Sequence, residues 1–237
     1  MGGFLENLID ILKEAVYIIP AILISLSVHE CAHAWADCKL GDYTAKSMGR
    51  LTLNPLAHLD PLGTIMLLIS SFTGFGFGWA KPVPFNYLNY RRPKLGTVLS
   101  ALAGPVSNFL IALIATIIWA VVVGLFGDTL MYDLANDKIT FATVAVKFMN
   151  ELMCINIGLG VFNLLPFPPL DGSKILGGFL PQNVYFKLLE YENYIGIIFV
   201  LIILFKDEWI SALLDPCFEF VLNILNEIAE PIINLFG

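Results

Sequence analysis

An all-α, multi-pass membrane protein is what this sequence predicts, on three observations. Of its 237 residues, 57% are hydrophobic and only 14% charged, with a mean hydropathy of +0.78, whereas soluble domains carry about 25% charge. Apolar runs recur that are long enough for spans of about 20 residues. The segments between them are too short to build a separate soluble domain. The prediction is a single membrane-embedded domain over residues 1–237, with a core at 15–180 and C-terminal helices at 184–236. About four to six helices are expected to cross the bilayer.

Leu5, Leu8, Ile9, Leu12 and Val16 recur at helical spacing, with Glu6, Asp10, Lys13 and Glu14 between them. That pattern predicts an amphipathic interfacial helix leading into a first span from about Ala15 to Ala36. The acidic start has no positive n-region, which argues against a cleaved signal. Asp37 to Asp60 is more polar and holds Lys39, Lys46 and Arg50. The apolar run Leu62 to Phe72 is too short to span easily. Beyond it, Thr73-Gly74-Phe75-Gly76-Phe77-Gly78-Trp79 and Lys81-Pro82-Val83-Pro84-Phe85 are rich in helix breakers. Residues 62–90 therefore read as a helix followed by a re-entrant or edge segment, because irregular backbone at membrane depth needs protein or a wet cavity beside it.

Arg91, Arg92 and Lys94 precede a long second span, Leu95 to Phe126, and a polar loop follows from Gly127 to Thr140. The third span, Phe141 to Leu165, is stopped by Pro166-Phe167-Pro168-Pro169-Leu170-Asp171-Gly172. Tyr194 to Phe205 is the apolar heart of a fourth. Ser211 to Phe236 is apolar with Glu219, Glu227 and Glu230 scattered through it, which suits either a surface helix or a span. Placing the basic segments around 39–50 and 91–94 inside leaves the acidic 127–140 loop outside. The third span then returns Asp171 to the side of His33. Trp35, Trp79 and Trp209 read as interface anchors.

The net charge of −7 and the lack of any Lys/Arg cluster argue against a nucleic-acid partner. Cys31, Cys38, Cys154 and Cys217 have no CxxC spacing and read as small buried hydrophobes.

Against this apolar background, His29-Glu30-Cys31-Ala32-His33 places two imidazoles at i and i+4 of a helix, on one face. Neutral imidazoles suit zinc, and Glu30 beside the first is placed to take a proton from an attacking water. A catalytic zinc needs a third protein ligand and an open position. Asp171 is the candidate, since it ends a span at the same predicted depth and Gly172 permits a tight turn after it. Ionisable groups in a span are costly and point to function. His58 reads either as a further ligand or inhibitory contact, or as a turn cap. Asn108, beside Gly104-Pro105, suits close helix packing or a site role equally. Asn156 and Asn163 read as interhelical hydrogen bonders or as supports of the site.

In chain order, His29-Glu30-Cys31-Ala32-His33, Ala103-Gly104-Pro105-Val106-Ser107-Asn108 and Asn163-Leu164-Leu165-Pro166-Phe167-Pro168-Pro169-Leu170-Asp171-Gly172 resemble the motifs of the site-2 protease family of intramembrane zinc metalloproteases. Gly49-Arg50-Leu51-Thr52-Leu53-Asn54-Pro55 with Asp60-Pro61-Leu62-Gly63-Thr64 looks like its small prokaryotic branch, which lacks PDZ and other regulatory domains. The likeness runs over residues 20 to 180. It implies one zinc per chain held by His29, His33 and Asp171, with Glu30 as catalytic acid and base. It further implies that Asn108 hydrogen-bonds the substrate or developing oxyanion, and that an extended segment, here within 73–87, receives an unwound substrate strand. The implied substrate is a transmembrane protein, cut in a prokaryotic cell membrane during regulated intramembrane proteolysis. The charge pattern places that cut toward the cytoplasm.

Two other readings compete. A metal transporter would repeat ligand sites along a path, and this chain has three histidines in all. A non-proteolytic scaffold with a closed structural zinc would need a fourth ligand, from His58 or a cysteine.

Overall fold

The structure, a computed structural model, describes residues 2–60, 63, 65, 81–181, 184, 190–205 and 207–236. Among these are seven helices: α1 Gly2–Leu40, α2 Thr44–Ser47, α3 Pro93–Ala135, α4 Phe141–Asn163, α5 Asp171–Phe179, α6 Glu192–Phe205 and α7 Asp207–Phe236. Short 3₁₀ turns occupy Pro55–Ala57 and Tyr87–Asn89. Three helical stretches are long and apolar enough to cross a membrane: Ile9–Leu40, Pro93–Ala135 and Phe141–Asn163. The protein is an all-α membrane protein.

The expected interfacial helix and first span form one continuous α1. No breaker separates the two patterns. Pro20 lies inside α1, where membrane helices tolerate the lost donor. The second span also outruns its sequence limit, continuing past Phe126 to Ala135. Gly127 does not adopt the left-handed conformation that would end a helix; the turn comes at Asp137, with φ 49°. Thr140 and Thr143 then form a reciprocal capping box that starts α4. Most of the expected re-entrant segment, 66–80, lies outside the described residues. Its described end, 81–86, carries no helix.

α3 is the hub, touching α1, α4, α5 and α7. The interior is built on small residues: Ala21, Ala112, Ala115 and Ala120 are fully buried, with Leu152, Met153, Ile157 and Val161 packed around the first three. Small side chains let helix backbones approach closely, the main source of association between helices in lipid. Asn156 donates to Ser25 Oγ across α4 and α1 at 2.7 Å, so it is an interhelical hydrogen bonder. α7 lays Leu214, Phe218, Val221, Leu222 and Leu225 on the core while Glu219, Glu227 and Glu230 stay exposed. That one-sided pattern packs α7 against α3 and α4 along a single stripe.

The elbow after α1 decides where the next segment runs. Gly41 turns the chain at φ +112°, a conformation that disfavours a side chain. Asp42 then gathers donors from two directions. Thr44 N and Oγ1 lie 3.1 and 2.5 Å from Oδ1, Asn89 Nδ2 lies 2.8 Å from Oδ1, and Asn86 N lies 2.6 Å from Oδ2. Burial opposes ionisation of Asp42, but the hydrogen bonds from Thr44, Asn86 and Asn89 outweigh it and hold the carboxyl below its usual range. With a folded pKa below the unfolded value of about 3.9, the unfolded chain binds more protons in that window. The stabilisation is thus complete above about pH 4 and is lost as pH falls through the depressed folded value. Thermal melts in detergent at falling pH should show this loss, and Asp42→Asn should flatten the dependence.

Candidate active site

His29, Glu30, His33 and Asp37 fall at i, i+1, i+4 and i+8 of α1, so three turns of one helix carry the first half of the site. Asp171 comes from the first turn of α5. His29 Nε2 and His33 Nε2 are 3.1 Å apart, and Asp171 Oδ2 lies 3.2 and 3.0 Å from them. All three residues are buried, at 4%, 8% and 5% exposure. Among the described residues they are the one group of histidine, cysteine and carboxylate side chains clustered closely enough to hold a metal ion.

The outer atoms fix what the inner ones can do. His33 Nδ1 donates to the Ser100 carbonyl at 2.7 Å, and His29 Nδ1 donates to Asn108 Oδ1 at 3.0 Å. In the neutral rings both Nε2 atoms therefore present lone pairs toward each other and toward Asp171. Three electron-pair donors meeting at about hydrogen-bond distance with no proton between them repel one another unless a cation sits among them. Two imidazoles and one carboxylate form a catalytic zinc set, with room for a fourth ligand.

Gly104 supplies the remaining wall. A Cβ there would press on His33 Nε2 and lie 2.5 and 2.6 Å from His29 Cε1 and Nε2. The missing side chain thus leaves open the space beside both donor nitrogens. Gly172 is needed for a different reason than a tight turn: its Cβ would collide with the carbonyls of Leu164 and Leu165. Lys174 Nζ lies 3.1 Å from Oδ1 of Asp171, and that positive charge favours the ionised carboxylate.

A cavity of about 120 Å³ opens onto these groups, lined also by Glu30, Asp37, Val83, Phe85, Asn163 and Lys174. Glu30 Oε2 accepts from the Val83 N–H at 3.1 Å. Val83 lies between Pro82 and Pro84, so it holds the sole backbone donor of that tripeptide, and the following prolines bias Lys81 and Val83 toward extended backbone. Buried Arg50 clamps this run: its guanidinium donates to the carbonyls of Ala57, Lys81 and Pro82. Arg50→Gln should lower stability by about 2 kcal/mol or more, because charged hydrogen bonds to buried carbonyls disappear. Detergent melts would measure it, and limited proteolysis should show faster cutting near 81–86.

The structure assembles His29, His33 and Asp171 with Glu30 on one cavity, as the motifs predict. Asn108 lies behind His29, fully buried, with Nδ2 unpaired. Asn163 borders the cavity and donates to the Leu159 carbonyl at 3.0 Å. His58 stays out of the cluster: it caps the Pro55–Ala57 turn, and its Nε2 pairs with the Thr52 carbonyl at 2.8 Å. Trp35 is exposed, with Lys39 Nζ 5.7 Å from its ring centre. All four cysteines are free thiols, but the expectation that they are buried does not hold: Cys31, Cys38 and Cys154 are half-buried and Cys217 is exposed.

Sequence reasoning missed Asp37, Ser100, Tyr90 and Lys174. Asp37 Oδ1 accepts from Tyr90 Oη at 2.7 Å and Ser100 Oγ at 2.5 Å, bracing the far end of the cavity. Helical spacing from His33 and Asp171 could have flagged Asp37 and Lys174. Nothing local marks Ser100 or Tyr90.

Comparison with known proteins agrees with this chemistry. The chain is 37% identical over 222 residues to YwhC of Bacillus subtilis (strain 168), named as a zinc metalloprotease, covering 92% of this chain and 94% of that one. It is 28% identical over 211 residues to Rip2 of Mycolicibacterium smegmatis (strain ATCC 700084 / mc(2)155), which carries the same kind of name, covering 86% and 74%. No solved structure matches the chain. The profile of peptidase family M50 matches residues 17–203, from the first span through the metal cluster and into α6, and the chain belongs to that family of zinc metallopeptidases.

Proposed function

We propose that the chain is an intramembrane zinc endopeptidase that hydrolyses peptide bonds of transmembrane proteins near the cytoplasmic face, in regulated intramembrane proteolysis. The observation that carries this reading is the buried His29, His33 and Asp171 triangle sharing one cavity with Glu30 at the end of a membrane-spanning helix. Zinc held by those three side chains supplies Lewis-acid polarisation of the scissile carbonyl and a water nucleophile at neutral pH. Glu30 takes the proton from the attacking water and returns it to the leaving nitrogen. The Val83 N–H fixes the Glu30 carboxylate for that task. Asn108 holds the orientation and tautomer of His29 from behind the cavity, which makes it a support of the metal ligand and not a donor to substrate.

Arg91 N approaches the Leu40 carbonyl at 3.4 Å, so the basic residues around 39–50 and 91–94 share one end of the bundle with His33 and Asp171. The excess of Lys and Arg supports a cytoplasmic placement of that end. The site needs a substrate helix to unwind locally, and segment 81–86 is where the extended strand would lie.

The reading is tested by purified protein in bilayers with a reporter transmembrane substrate. It should contain about one zinc per chain, lose cleavage to a chelator, and regain it with zinc. Protein that keeps zinc yet cuts none of a broad substrate panel would favour the non-proteolytic scaffold.

A further inference from the structure

The two oxygens of Asp171 have different neighbours. Oδ2 faces both histidine Nε2 atoms, whereas Oδ1 accepts from Lys174 Nζ at 3.1 Å. Lys174 sits three residues along α5, on the same face as Asp171. Its side chain is only 30% exposed, it lines the cavity, and its ammonium lies 5.5 Å from the Phe85 ring centre. A fixed cation beside a metal site costs repulsion, so its presence calls for an offsetting role. The carboxylate between the two charges supplies one, because a carboxylate can bind a metal through one oxygen or both.

We infer that Lys174 is a positioning residue of the metal centre: its ammonium occupies Oδ1, so that Asp171 ligates through Oδ2 alone and one coordination position stays free. This rests on the zinc-peptidase reading. An exposed ion pair would contribute little, but here the carboxylate is 7% exposed and the ammonium is wedged between Asp171 and Phe85. Partners of this kind orient metal ligands, and their loss typically weakens metal affinity about 10–100-fold.

The test uses the full chain in detergent with zinc alone and cobalt(II) alone as probes. Lys174→Met should weaken zinc binding about 10–100-fold in chelator competition, because the lost orientation of Oδ2 toward the two histidines outweighs the relieved repulsion and the added oxygen contact. It should also lower the visible absorption of the cobalt form, as Asp171 becomes bidentate and the ion five-coordinate. Lys174→Arg should restore both. Should the Met variant misfold by circular dichroism, Lys174→Gln is read by the same two measures. Unchanged affinity and spectrum in the Met or Gln variant overturn the inference, as does an Arg variant as impaired as Met. Asp171→Asn separates the underlying reading: if it binds zinc as wild type does, the metal site itself is misassigned, whatever Lys174 shows.

Discussion

Glu30→Gln should keep its zinc and lose cleavage by a factor of about 10²–10⁴, the usual contribution of a positioned acid or base. The exchange is nearly isosteric. The Gln carbonyl can still accept the Val83 N–H that Glu30 Oε2 accepts at 3.1 Å, so the segment over the cavity stays in place. The donor triangle is untouched, because Glu30 is not one of its three atoms. What disappears is a group able to take and return a proton. Zinc content measured beside the cleavage rate of a reporter transmembrane substrate checks this. Equal cleavage by the variant would remove Glu30 from the chemistry. Loss of zinc along with activity would instead give it a structural role.

Gly104→Ala should reduce zinc affinity by about 10–100-fold, corresponding to the 1–3 kcal/mol of a typical overpacked site. The added methyl would stand against His33 Nε2 and 2.6 Å from His29 Nε2, where the two lone pairs point. The histidines cannot easily retreat, since Ser100 and Asn108 hold their far nitrogens. Relief would require α3 to move away from α1, breaking those same hydrogen bonds. Chelator competition reads the affinity, and circular dichroism should show the helices intact. A variant that binds zinc like wild type would mean that α3 approaches α1 less closely than described. Both substitutions probe one cavity from opposite sides: the first removes chemistry and leaves shape, and the second does the reverse.

Much of the molecule was legible in the sequence because membrane helices satisfy their own backbone. A run of apolar residues then suffices to mark a span, and α1, α3 and α4 each contain one of the expected runs. Helix ends were less legible. Gly127 resembles a stop, yet α3 continues to Ala135 and the chain turns only at Asp137. The course of α7 was open for a related reason: scattered glutamates fit a span or a surface helix until the core residues Leu225 and Ala229 fix which stripe is buried.

By itself the sequence determined the class of protein, three of its apolar spans, and the candidate residues His29, Glu30, His33 and Asp171, because these depend on composition and on short motifs. Tertiary structure alone decided how those groups are held. Ser100 and Asn108 on α3 set the histidine tautomers, Gly104 clears the space beside them, Arg50 and the proline-flanked Val83 set Glu30, and Lys174 divides the oxygens of Asp171. Apart from Lys174, these contacts join residues distant in the chain, some where α3 packs on α1 and others, those of Arg50 and Val83, where irregular segments meet the cavity, and hydropathy and periodicity carry no record of which atoms then meet.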